Sequence, residues 1–177
     1  MNSTKLICVI GAESTGKTTL AQALAAEFDC PWVAEYLRDF CDLHGRAPTQ
    51  YEQPLILKTQ VINEMSKQVS AQAHSQPYVF CDTAPLLTAI YSDFVFGDKS
   101  LYAQARELHS RYALTLLLLP DINWVADGMQ RDGAHVREPI THFIERELAA
   151  ANATVVRIGG QNEARIQAAI KAVHSIQ

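Results

Sequence analysis

The sequence predicts a three-layer α/β sandwich in which about five parallel strands are covered on both faces by helices. Three observations lead there. Short apolar runs alternate along the chain with segments of helical spacing. The runs are near-continuous in hydrophobicity, as strands buried on both faces are. Helical segments separate the runs, and parallel neighbours need such crossovers.

The first run, residues 5–10, leads into a glycine-containing loop. Residues 18–28 follow as a helix, with Leu20, Ala21, Leu24, Ala25 and Phe28 on one face. Residues 32–35 make a short second strand after Pro31, and 36–44 a helix that stops near Gly45 and Pro48. The long polar segment 50–74 takes its helical stripe from Leu55, Ile62, Met65 and Val69. The third strand spans 78–82. A helix opens over 85–91, 92–100 reads as a loop, and 101–112 as a further helix. The fourth strand, 114–119, stops at Pro120. A helix over 141–151 turns Phe143, Ile144 and Leu148 inward. The fifth strand, 154–158, ends at Gly159-Gly160, and 161–176 closes the chain as an amphipathic helix. With no repeat, low-complexity tract or linker, residues 1–177 are expected to form one domain.

Composition narrows the class. Of 177 residues, 48% are hydrophobic and 19% charged, a globular balance. A net charge of −4 leaves no room for a large basic face, which argues against a nucleic-acid partner. Cys8, Cys30, Cys41 and Cys81 show no ligand spacing, so a zinc site is not expected. Cys8 and Cys81 fall inside apolar runs, where free thiols act as small hydrophobes, and the pattern suits a reducing cytoplasm. The N-terminus lacks a signal-peptide pattern, and no apolar run reaches membrane-spanning length, so no membrane partner is expected. Composition is silent on oligomeric state.

The strongest motif is Gly11-Ala12-Glu13-Ser14-Thr15-Gly16-Lys17-Thr18, a full G-x-x-x-x-G-K-[ST] match between a buried strand and an amphipathic helix. The glycines let successive backbone N–H groups converge on one anion, and the helix N-terminus adds partial positive charge there. The motif predicts a P-loop that binds ATP·Mg²⁺. Gly11, Glu13, Ser14, Thr15, Gly16, Lys17, Thr18 and the following Thr19 are the nucleotide-binding candidates. Lys17 is expected at the β- and γ-phosphates and Thr18 on Mg²⁺. Glu13 is unusual in a polyanion-binding loop and is expected either to point outward as a solvated carboxylate, the favoured reading, or to lie near the second substrate.

Phosphoryl transfer also needs a metal-binding carboxylate and a group to orient the nucleophile, both at the carboxyl ends of strands. Asp82 ends the apolar run 78–81 in the manner of a Walker B aspartate. It is expected to hold Mg²⁺ or to take a proton from the acceptor. Glu35 ends the second strand with Tyr36 and Arg38 behind it, a cluster that would face the acceptor. Between the fourth strand and the next helix, two glycines with Arg131 and Arg137 suit a lid over about 124–138 that covers developing charge. Trp124 and Tyr91 read as core aromatics or as base-stacking residues.

These residues carry a family likeness. The phosphate loop with its Glu-Ser-Thr interior, then Glu35-Tyr36-x-Arg38, Asp82-Thr83 and Trp124-Val125-x-Asp127-Gly128, stand in the order of one family. The chain resembles, over nearly its whole length, the ribosylnicotinamide kinase domain of the NadR-type NAD-biosynthesis regulators. It also resembles the wider group of small P-loop ATPases and kinases built on that domain. The resemblance implies a P-loop kinase fold and transfer of the ATP γ-phosphate to the 5′-hydroxyl of nicotinamide riboside, giving nicotinamide mononucleotide. It implies Asp82 at the Mg²⁺ and acceptor-hydroxyl site, Glu35, Tyr36 and Arg38 near the acceptor, and Trp124 and Asp127 between lid and substrate.

The chain departs from the family twice. The usual Asp-Thr-Asp is Asp82-Thr83-Ala84, and the usual Asp-Gly-x-Arg has its arginine displaced to Arg131. The regulator's nucleotidyltransferase signature and helix-turn-helix module have no counterpart in the sequence, so a stand-alone kinase domain is expected. Two other readings accompany this one. The acceptor is another nucleoside or a nucleotide, for which Arg38 and Arg46 are the nearest clamp candidates, or the chain is an ATP-binding regulatory module without an acceptor.

Overall fold

A computed structural model gives the architecture and describes residues 3–124 and 134–176. Five strands form one parallel sheet in the order β2-β3-β1-β4-β5. They are β1 (Lys5–Ile10), β2 (Trp32–Val33), β3 (Tyr78–Asp82), β4 (Tyr112–Leu118) and β5 (Val155–Ile158). The helices between them are α1 (Lys17–Glu27), α2 (Tyr36–His44), α3 (Gln53–Ala73), α4 (Pro85–Phe96), α5 (Tyr102–His109), α6 (Arg137–Ala150) and α7 (Asn162–His174).

Alternation along β1 divides the core. Leu6, Cys8 and Ile10 face one layer with Leu57, Leu86, Ile90, Ile140 and Ile144, while Ile7 and Val9 face the other with Leu20, Leu24, Ile170 and Val173. The expected strands and sandwich are therefore present. All four cysteines are free and buried, and Cys8 and Cys81 are register partners in adjacent strands.

Several boundaries differ from the sequence expectation, and the second strand is shorter than expected, ending at Val33. The segment 92–100 is not all loop: α4 continues through Phe96 and stops at Gly97, whose φ of 69° and N–H bond to Asp93 make a left-handed cap. Polar Ser92 lies buried within the continuing helix. The helix expected over 101–112 ends at His109, and Tyr112 opens β4 beside Leu6. The helix expected from 141 begins at Arg137.

The largest correction concerns α3. Its apolar stripe points to solvent: Leu55, Ile62, Met65 and Val69 are 50%, 53%, 53% and 71% exposed. The inward face instead carries Gln53, Ile56, Leu57, Gln60, Glu64 and Ala71. Glu64 accepts hydrogen bonds from Tyr112 Oη (2.8 Å), Arg111 Nη2 (2.8 Å) and Gln60 Nε2 (3.1 Å). Buried polar groups paired this fully are tolerated in a core, so helical apolar spacing picked the wrong face.

Candidate active site

The sequence order and the strand order diverge at β1. The chain leaves β1 to form β2 on one side and later crosses to β4 on the other, so the crevice lies at the carboxyl ends of β1 and β3. The register pairs Val9 with Asp82, which puts the loop after β1 beside the end of β3.

The loop itself needs glycine where it has it. A Cβ on Gly11 would sit 2.7 Å from Thr15 Oγ1 and 3.1 Å from the Leu118 carbonyl oxygen. Gly16 caps α1 with φ 82°. Thr15 Oγ1 donates to the Ala12 carbonyl at 2.8 Å, closing the turn, and Lys17 Nζ donates to the same oxygen at 3.2 Å. The loop is also braced from behind by Arg165 of α7, which the sequence reading did not pick out. It donates to the carbonyls of Thr15 (2.5 Å), Gly160 (2.8 Å) and Leu119 (3.1 Å) and pairs with Asp121. An arginine five residues past a Gly-Gly strand end was the only sequence signal for it.

Thr18 Oγ1 donates to Asp82 Oδ2 at 2.5 Å, so the two expected metal ligands converge. Two hard oxygen donors, beside a loop shaped for phosphate, match the way Mg²⁺ is held between a protein and its nucleotide. Among the described residues, no group of three or more His, Cys, Asp or Glu could hold a metal without such help. Thr19 lies exposed on the outer side of the same helix turn.

Next to Lys17 opens a cavity of about 430 Å³. Glu13, Glu35 and Thr83 line it together with a largely apolar set, Leu37, Ile56, Leu87, Tyr91, Val95 and Phe96, with Gln53 and Gln60 among the polar exceptions. Glu13 thus lines the cavity and is half-buried, in line with the second of its two expected placements and not with the favoured, solvated one. The next residue, Ser14, turns the loop with a φ of 52°. Tyr91 is half-buried, packing on the core and lining the cavity at once.

Glu35 is buried at the first cap of α2 and makes a 3.3 Å ion pair with Arg38. Burial pushes its carboxyl above the ordinary 4.5; the Lys17 charge opposes that rise, and the Asp82 charge adds to it. Tyr36 presents its backbone to the scaffold, donating its N–H to Gln60 Oε1 at 2.9 Å. Neither Tyr36 nor Arg38 lines the cavity. Gln60 therefore links the start of α2, next to Glu35, to the Glu64 cluster, a role that no sequence motif announces.

The lid expectation meets the structure at its ends only. Trp124 is half-buried and does not line the cavity. Asp127 and Arg131 lie outside the described residues. Arg137 is not on a loop: it is the buried first residue of α6, and it donates to the Ile122 carbonyl (2.9 Å) and, at 3.4 Å, to the Ser14 carbonyl. Burial lowers its pKa. Its described side-chain contacts tie the segment after β4 and the phosphate loop to the start of α6.

Known proteins fit this geometry. The trifunctional NAD biosynthesis/regulator protein NadR of Escherichia coli (strain K12) is 27% identical over 161 residues, 87% of this chain and 38% of that protein. A crystal structure of NadR protein in complex with NR superposes with a TM-score of 0.84 at 25% identity, covering 98% of this chain and 52% of that one. The chain therefore spans about half or less of these relatives. The deoxyadenosine kinase of M. mycoides, at 12% identity and a TM-score of 0.64 over 96% and 99% of the two chains, shares the fold. Among the described residues, no helix is long and apolar enough to cross a membrane. Residues 6–165 match the AAA domain family AAA_28, and the chain belongs to that family.

Proposed function

We propose that this chain is an ATP-dependent kinase that phosphorylates the 5′-hydroxyl of nicotinamide riboside, giving nicotinamide mononucleotide. The observation that carries the reading is the cavity beside Lys17. Among its described lining residues Lys17 is the only cation, set against the carboxylates of Glu13 and Glu35. An acceptor that already bore a phosphate would want an arginine clamp there, so the lining favours an unphosphorylated, uncharged or cationic nucleoside. The crystallised NadR bound to NR supports the same class.

In this reading the backbone amides of 11–18 cradle the triphosphate and Lys17 neutralises its β- and γ-oxygens. Thr18 and Asp82 would hold Mg²⁺, which supplies charge neutralisation at the transferring phosphoryl group. Glu35, lining the cavity with a raised pKa, takes the acceptor proton. Its partner Arg38 holds it in place. Residues 124–138 would serve as a lid, with Arg131 as its cation and Trp124 and Asp127 between lid and substrate, while Arg137 braces the phosphate loop. Residues 1–177 act as one domain. The four free, buried cysteines support residence in a reducing cytoplasm.

ADP release measured across a panel of nucleosides tests the reading. The expected result is strong stimulation by nicotinamide riboside, abolished in Lys17→Ala. Release with another acceptor alone would move the substrate and keep the class. The exposed apolar stripe of α3 favours a second reading, an ATP-binding regulatory module that docks a protein. Hydrolysis indifferent to every acceptor would select it.

A further inference from the structure

The residue after Asp82 joins a strained backbone to a buried, unpaired hydroxyl among the described residues. Thr83 has φ 78°, a left-handed backbone that a β-branched side chain adopts only under constraint. Two neighbours impose it. Its N–H donates to the Val9 carbonyl at 2.9 Å, tying it to β1, and Pro85 holds Ala84 extended at φ −149°, ψ 158°. Glycine would satisfy this geometry without strain. The threonine is nevertheless buried to 4% exposure, its Oγ1 has no hydrogen-bond partner among the described residues, and it lines the cavity beside Lys17 and Glu35. A buried hydroxyl left unpaired costs stability, so its presence at a strained position points to a partner that arrives with the substrate.

We infer that Thr83 is the cavity's receptor for a sugar hydroxyl of the acceptor, one neighbouring the hydroxyl that is phosphorylated. The inference rests on the nucleoside-kinase reading above and adds a specificity residue to it. A threonine hydroxyl both donates and accepts, as a sugar hydroxyl does, so the pair satisfies itself in either direction. The left-handed backbone fixes where that contact falls. It lies one residue from Asp82, which meets Thr18 at the metal end of the site. The contact therefore sets the distance between the sugar and the transferring phosphoryl group, and Thr83 binds substrate without taking part in proton transfer.

The test is a cycle between protein and substrate. Steady-state kinetics are measured for the parent, Thr83→Val and Thr83→Ser with nicotinamide riboside and its 2′-deoxy and 3′-deoxy analogues. The parent is expected to disfavour one deoxy analogue by about 3- to 10-fold in kcat/KM, the range of one neutral hydrogen bond. Thr83→Val should raise KM for the riboside by the same factor, leave KM for ATP unchanged, and lose the discrimination between riboside and deoxyriboside. Thr83→Ser should keep it. The unliganded Val variant should melt at or above the parent temperature, because its only loss is an unpaired polar group. Three results would overturn the assignment: a parent blind to both deoxy analogues, losses that multiply independently in the cycle, or an unchanged KM in Thr83→Val. The parent measurement needs no variant to fold. A parent that phosphorylates no nucleoside at all would remove the kinase reading itself, an outcome distinct from these.

Discussion

The Thr18 hydroxyl donates to the Asp82 carboxylate at 2.5 Å, joining the first turn of α1 to the last residue of β3. Sixty-four residues separate the two in the chain. Parallel pairing of β1 with β3 brings them together and creates the hard-oxygen pair on which the proposed chemistry depends.

Asp82→Asn keeps the shape of that pair and removes its charge. The expected outcome is a fall in kcat of about 10²–10³-fold, the scale of losing one preorganised electrostatic partner of a transition state. Thr18→Val should act with it, raising the magnesium concentration needed for half-maximal rate. Magnesium titrations of acceptor-stimulated ADP release check both. Full activity in Asp82→Asn would remove Asp82 from the site.

Glu35 links the chemistry to stability. Its raised pKa means that the folded chain holds this proton more tightly than the unfolded one. That contribution to stability is complete below the ordinary value of 4.5 and is lost as pH rises through the folded value. Glu35→Gln should therefore be more stable than the parent at mildly alkaline pH, without nucleotide or metal, and the gain should vanish towards pH 4.5. The same substitution should abolish most of the acceptor-dependent rate. Denaturant melts across pH, set beside kinetics, read the two effects separately.

The Glu64 cluster is a structural pillar. Glu64→Ala would strand the Arg111 guanidinium, the Tyr112 hydroxyl and the Gln60 amide in the core. Breaking a buried pair in this way costs about 3–5 kcal/mol, and the change should appear in chemical denaturation. Gln60 also holds the Tyr36 amide, so KM for the acceptor should rise more than KM for ATP. An unchanged denaturation midpoint would contradict this account of the α3 packing.

Gly11 tests the loop. Gly11→Ala places a methyl 2.7 Å from Thr15 Oγ1 and 3.1 Å from Leu118. Overpacking of this kind costs about 1–3 kcal/mol. Nucleotide affinity should fall with it, because the Thr15 turn shapes the phosphate nest. Calorimetric titration with ATP measures that loss directly.

Local chemistry was legible in the residue order. The strand at 5–10, the loop at 11–18 and the Asp at the end of 78–82 each carry their signal within a few residues: apolar continuity, glycine spacing, a lone acid after a buried run. Strand order, face selection and bracing were settled by packing. Helical periodicity put Leu55, Ile62, Met65 and Val69 inside, yet a buried carboxylate with three donors made the polar face of α3 the inner one. Arg165 reaches Thr15 across 150 positions, and Arg137 reaches Ser14 across 123, distances over which no pattern in the sequence speaks. Sequence order encodes what neighbours along the chain do to one another. Which polar groups are satisfied once buried depends on partners that only the folded sheet and its helices bring within hydrogen-bonding reach.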